Sequence, residues 1–180
     1  MKMTVHDFNQ KLAFSNGANL IDDMKRIQHA LGHTCISVEK TDITTDKSGI
    51  DYRARLKMGA IVNVDAKRRE AGASRWWRNN EPELAIETLS VIEPRKIGWT
   101  FSTASDVDYI LYSFEPEDSN DYYFIPFALL RKVAYEKGAA WKDTYMEKKQ
   151  RSNGWESSCI FVPAHIVLRE IQKAMLYKSA

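Results

Sequence analysis

The sequence lacks most of the features that would assign it to a specialised class. It has only two cysteines in 180 residues, Cys35 and Cys159, which form no CxxC pair and no disulfide framework. Reduced thiols in a cytoplasmic protein are therefore expected. No apolar run approaches the ~20 residues of a membrane helix. The start, Met1-Lys2-Met3-Thr4-Val5-His6, turns polar at once and lacks the apolar centre of a signal peptide. Neither sign of charge dominates. The 26 Lys and Arg against 24 Asp and Glu leave a formal net charge of +2, so any affinity for nucleic acid must come from local clusters. There is no P-loop and no GxGxxG fingerprint, which argues against a nucleotide cofactor. His29, His33 and Cys35 lie close together but lack the fourth partner of a zinc site. Cys159 has no evident activating base.

What remains is an ordinary globular composition, 44% hydrophobic and 28% charged, with enough chain for one core. A single domain over residues 1–180 is expected, with 139–158 as a charged loop or insertion. Thr4 is placed to cap a short helix from Val5 to Phe14. Leu20, Met24, Ile27 and Leu31 recur at helical spacing ahead of Gly32, which predicts a helix over Asn19–Leu31. Thr34–Glu39 reads as a short strand. Glu83–Ile92, Gly98–Thr103 and Asp108–Phe114 read as strands further along. Tyr122–Ile125 and Cys159–Val162 are strands that each hand over, through Pro126 and Pro163, to a helix. Gly138 is the expected end of the first of these helices.

The most informative stretch is 50–67. Ile50, Tyr52, Ala54, Leu56 and Met58 alternate with Asp51, Arg53, Arg55 and Lys57, and Val62, Val64 and Ala66 alternate with Asn63, Asp65 and Lys67. Period-two alternation marks strands with one buried face, and the short connection makes them a hairpin. A D/E-x-K triplet alone is a weak signal, and the chain holds three. Asp23-Met24-Lys25 falls on the predicted helix and Glu147-Lys148-Lys149 in a charged segment. Only Asp65-Ala66-Lys67 lies on an apolar strand, where i and i+2 share a face. A three-residue loop Lys57-Met58-Gly59, with glycine in the left-handed position, would set Asp51 opposite Asp65. Two opposed carboxylates repel until a divalent cation turns the repulsion into attraction, and such oxygen ligands suit Mg²⁺ or Mn²⁺.

The order Gly49-Ile50-Asp51, hairpin, Val64-Asp65-Ala66-Lys67 resembles the PD-(D/E)XK nuclease superfamily. The local match covers about residues 49–67, and a looser helix-then-strands order extends from Asn19 to Phe114. Ile50 stands where the motif's name has proline. The resemblance implies an α/β (α+β) fold of the restriction-endonuclease type, a mixed central sheet flanked by helices. It implies Asp51 and Asp65 as ligands to Mg²⁺ or Mn²⁺, and Lys67 as the residue that positions or deprotonates the attacking water. Members of the superfamily often add an acidic residue on the N-terminal helix. Asp23 is the candidate there, with Glu87 on the next apolar segment as the alternative. The activity implied is hydrolysis of DNA phosphodiester bonds, in phage or mobile-element DNA processing. The alternative is a nuclease-like binding module, for nucleic acid or protein, that has lost catalysis. Cutting both strands would call for a homodimer, although no self-complementary surface is legible.

Directly after this motif come Lys67-Arg68-Arg69 and then Arg75-Trp76-Trp77-Arg78, around a small-residue centre. Arg68, Arg69, Arg75 and Arg78 suit phosphates, and Trp76 and Trp77 suit stacking on bases. A second basic group, Lys148, Lys149 and Arg151, reads as a solvated loop.

Overall fold

The alternation at 50–67 is realised as an antiparallel hairpin, strand β2 (Tyr52–Leu56) followed by β3 (Ile61–Arg69). The computed structural model describes residues 20–42, 49–69, 79, 81–93, 95–114, 122–152 and 155–176. The helix expected over Val5–Phe14 lies outside them. Helix α1 (Leu20–Leu31) and strand β1 (Cys35–Lys40) precede the hairpin. Strand β6 (Tyr109–Phe114) runs parallel to β3, and β7 (Tyr122–Pro126) runs antiparallel to β6. The resulting mixed sheet has the order β1-β2-β3-β6-β7.

A second sheet is wholly antiparallel, with the order β5-β4-β9-β8. Its members are β4 (Glu83–Val91), β5 (Lys96–Ile97), β8 (Glu147–Ser152) and β9 (Trp155–Pro163). Helix α2 (Phe127–Tyr145) follows β7, and α3 (Ala164–Leu176) follows β9, each starting directly after the expected proline. The class is α+β with a mixed sheet, as expected, but the helices do not simply flank one sheet. No helix among the described residues is long and apolar enough to cross a membrane.

The two faces of the mixed sheet bury separate clusters. Ile27 of α1 packs with Tyr52, Ala54, Val64 and Leu111 on one face. On the other, Ile110, Tyr112 and Ile125 meet Leu84 and Ile86 of β4, Ile160 and Val162 of β9, and the apolar stripes of α2 and α3. Each fully buried aliphatic chain contributes roughly 1.5–3 kcal/mol of transfer free energy, which is what locks the two sheets together.

Two expectations from the sequence are corrected. Residues 139–158 are not a loop. Helix α2 continues through Gly138 to Tyr145 and stops at Met146, whose φ is 62°, and 147–152 then form an edge strand. A mid-helix glycine costs about 1 kcal/mol, and the burial of Leu130, Val133, Ala134 and Trp141 outweighs it. Strand β8 hides from pattern reading because Glu147-Lys148-Lys149-Gln150 is polar on both faces, a composition typical of sheet edges. Gly98–Thr103 is likewise not a strand. After the short β5, Trp99–Phe101 forms a 3-10 turn.

Candidate active site

The hairpin register leads up to the first two carboxylates. Tyr52 pairs with Val64 and Arg55 with Ile61, the register expected from the loop length, and Asp51 lies one residue beyond the last of these pairs. Gly59 makes that loop possible. Its φ is +79°, a conformation that costs other residues about 1–2 kcal/mol, and its N–H donates to Leu56 O at 2.9 Å. Asp51 is pinned from both sides, since its N–H donates to Val64 O at 3.0 Å and its carbonyl accepts from Thr41 N–H at 2.9 Å. Beyond this point β2 no longer covers β3. The Asp51 carboxylate takes over, with Oδ2 accepting the Ala66 N–H at 2.7 Å. The side chain thus completes a ladder that the backbone has left open.

Asp65 and Lys67 follow on one face of β3, beside Ile110 and Tyr112 of β6. Asp65 is only 4% exposed. Its Oδ1 lies 2.7 Å from Lys67 Nζ, and the lysine side chain is 31% exposed. Burial alone would lower the Lys67 pKa. The carboxylates of Asp65, Asp51 and Glu87 together outweigh it and hold the ammonium above the usual lysine value. Lys67 is therefore charged at neutral pH, and three acidic side chains act on it, one from β3, one from β4 and one from the residue before β2.

Glu87 arrives from the second sheet. It sits at a β-bulge, where the β4–β9 register shifts between Glu87 and Leu89. Bulges re-aim side chains and recur beside active sites. Its Oε2 accepts the Trp99 N–H at 3.1 Å, and its own N–H donates to Thr100 Oγ1 at 3.1 Å. Burial pushes the Glu87 carboxyl up, with Trp99 N–H, Lys67 and Lys96 pulling only partly the other way. Gly98 permits this contact, because a Cβ there would fall 2.1 Å from Glu87 O. Trp99, next in the chain, holds its ring 5.3 Å from Lys67 Nζ. Pattern reading took Gly98-Trp99 for part of a core strand. The signal available was a glycine inside an apparent strand, which often marks close backbone approach.

Asp23 does not join this group. It lies on the opposite face of the mixed sheet and is 4% exposed. Tyr52 Oη donates to its Oδ2 at 3.1 Å, Arg68 Nη2 to its Oδ1 at 2.9 Å, and Arg26 Nη1 lies 3.5 Å away. Asp23 lies beside the Leu20/Ile27 stripe of α1, and that stripe packs on the face of β3 away from the site. Strand parity sends Arg68 to this face too, so it is committed to Asp23 rather than free to meet a phosphate. Arg69 points to the site face, stacked over Phe161. Arg75, Trp76, Trp77 and Arg78 lie outside the described residues. Cys159 is no nucleophile here, since burial pushes its thiol to about 12.

The donor chemistry suits a hard divalent cation, for which Asp51 and Asp65 present carboxylate oxygens. Among the described residues, no three acidic, imidazole or thiol groups stand together as a ready metal cage. Asp23, on the opposite face, is not placed to act as a third protein ligand. Mg²⁺ does not need one, because one or two carboxylates plus substrate phosphate and water are its common coordination in phosphoryl-transfer sites. Comparison with protein-family models, curated proteins and solved structures gives no match for this chain.

Proposed function

We propose that the chain is a divalent-metal-dependent nuclease of the PD-(D/E)XK type that hydrolyses DNA phosphodiester bonds. The observation that carries the reading is the meeting of Asp51, Asp65 and Lys67 on one face at the open edge of β3. Asp65 and Lys67 are set by the β3 register, and Asp51, just before β2, is tied to β3 through Val64 O and Ala66 N–H. Asp51 and Asp65 would hold Mg²⁺ or Mn²⁺, and the ion, when bound, polarises a phosphoryl oxygen and makes coordinated water more acidic.

The residues of the chain divide the remaining work. The raised Lys67 is a poor base and a good donor. Its ammonium orients the attacking water and offsets the charge that builds on the phosphoryl oxygens in the transition state. Glu87 acts on the same ammonium from the second sheet, and burial holds its carboxyl above the ordinary glutamate value, so we assign it as the acceptor for the water proton. The Trp99 ring, held by the N–H contact to Glu87, walls the site and limits competing solvent.

The test is incubation of plasmid and single-stranded DNA with Mg²⁺ or Mn²⁺. Cleavage is expected from the wild type, with a loss of about 100-fold or more in Asp65→Ala and Lys67→Ala, the size typical for removing a transition-state donor. DNA binding with no cleavage under either metal would replace the enzyme with a nuclease-like binding module.

A further inference from the structure

Two residues beyond Lys67, on the same face of β3, Arg69 turns towards the second sheet. Its Cζ lies 4.8 Å from the centroid of the Phe161 ring on β9. Lys148 of β8 brings its Nζ to 5.8 Å from the same centroid. The pairings Ala85↔Phe161, Glu87↔Cys159 and Lys148↔Cys159 place Phe161 and Lys148 on the face of the second sheet that carries Glu87. The two cations therefore lie on the same side of the second sheet as Glu87. At a strand rise of about 3.3 Å per residue, Arg69 lies roughly 7 Å along β3 from Lys67.

Most other cations nearby are neutralised. Arg68 sits on Asp23, Lys142 on Glu147 at 2.6 Å, and Lys149 near Glu156 at 3.8 Å. Among the described residues, Arg69 and Lys148 instead meet only the ring. Of the acidic groups close by, Glu87 is engaged with Trp99 N–H and Lys67, and Glu147 with Lys142 and Thr88, while buried Glu83 lies beside Tyr112 and forms no ion pair with Arg69. Tyr112 and Cys159 supply no anion either, since burial pushes both to about 12. Arg69 Nε is sealed from solvent without an acceptor, which leaves the terminal nitrogens as the donors for a ligand. An arginine resting on an aromatic face keeps its planar fork pre-organised for two phosphate oxygens.

We propose that Arg69 and Lys148, gathered on Phe161, form a phosphate subsite that grips the DNA strand beside the bond held at Asp51, Asp65 and Lys67. The assignment rests on the nuclease reading for its substrate, but binding tests it separately from cleavage. The experiment is fluorescence anisotropy of a labelled single-stranded oligodeoxynucleotide in EDTA across a salt series. It compares wild type with Lys148→Ala, Lys148→Glu and Arg69→Met, and uses Lys173→Ala as a control cation on the far helix. Each subsite substitution is expected to weaken binding several-fold, and each lost phosphate contact to reduce the slope of log K against log salt by about 0.7. Lys173→Ala should match wild type. Lys148 is exposed, so its variants carry the test even if Arg69→Met fails to fold. A salt slope in both Lys148 variants equal to that of wild type overturns the subsite, as does a wild type that binds no DNA. Unchanged slopes alongside metal-dependent cleavage that Asp65→Ala abolishes would remove the subsite and leave the nuclease. Reduced slopes without any cleavage would do the reverse.

Discussion

The two faces of β3 carry nearly the same chemistry to different ends. On the α1 face, Arg68 meets a buried aspartate, Asp23, at 2.9 Å, and on the other, Lys67 meets a buried aspartate, Asp65, at 2.7 Å. The first pair is closed. Arg68 is 15% exposed, and Asp23 also accepts from Tyr52 and lies near Arg26, so its oxygens are saturated by fixed donors. The second pair is open. Lys67 is about twice as exposed as Arg68, and Asp51 and Glu87 act on its ammonium as well as Asp65. An ion pair serves structure when every charge is matched and sealed. It can serve chemistry when one of its partners keeps a route to solvent.

The largest expected effect tests the closed face. Asp23→Ala would leave Arg68, Arg26 and the Tyr52 hydroxyl facing an apolar cluster without their acceptor. Breaking a buried pair from one side costs about 3–5 kcal/mol, a large share of the 5–15 kcal/mol typical of a domain. Urea unfolding should show that loss. Asp65→Asn should cost clearly less, because Lys67 reaches solvent and keeps two other carboxylates. If Asp65→Asn proves the more destabilising, the contrast between the faces is wrong.

A smaller and more specific effect is expected at Glu87. Its folded pKa is raised by burial, so the fold favours the protonated form. The associated stability is fully present below the ordinary glutamate value of about 4.3 and is lost as pH rises through the raised folded value. Glu87→Gln stays neutral and should flatten that part of the stability profile, gaining on wild type towards neutral pH. In activity the sign reverses. A base must be ionised, so wild-type kcat/KM should fall on the acid side at a pH above the ordinary glutamate range. Glu87→Gln should be slow and lack that limb. A wild-type acid limb at the ordinary carboxylate value would assign the base elsewhere.

Much of this site was legible in the sequence because strand parity is a strict rule. Period two put Asp65 and Lys67 on one face, and a loop of three with Gly59 fixed the hairpin register as far as Tyr52, next to Asp51. The same rule, carried one residue further, would have sent Arg68 to the α1 face. Reading Arg68-Arg69 as one basic patch overlooked that adjacent strand residues diverge. That Glu87 rather than Asp23 comes to the side of Lys67 follows from how the two sheets pack, which no local pattern encodes. Strand β8 escaped because an edge strand can be polar on both faces. Gly98 was misread because a steric requirement set by Glu87, eleven residues earlier, leaves no periodic trace.

The finest test lies at Tyr52, which neighbours Asp51 in the chain yet points to the other face. Its hydroxyl donates to Asp23 Oδ2 at 3.1 Å, and burial together with the Asp23 charge pushes the phenol far above its usual value, so it remains a donor at any working pH. Tyr52→Phe keeps the ring in the cluster around Ile27 and Val64 and removes only this bond. Arg68 and Arg26 still serve Asp23, so the loss should be about 1 kcal/mol, at the lower end for a hydrogen bond to a charged group. Metal-dependent cleavage should keep its kcat and KM, because Asp51 is placed by Val64, Thr41 and Ala66 rather than by the phenol. A fall in kcat at unchanged stability would show that the closed network sets the Asp51 carboxylate through the β2 backbone. The two faces would then work as one device.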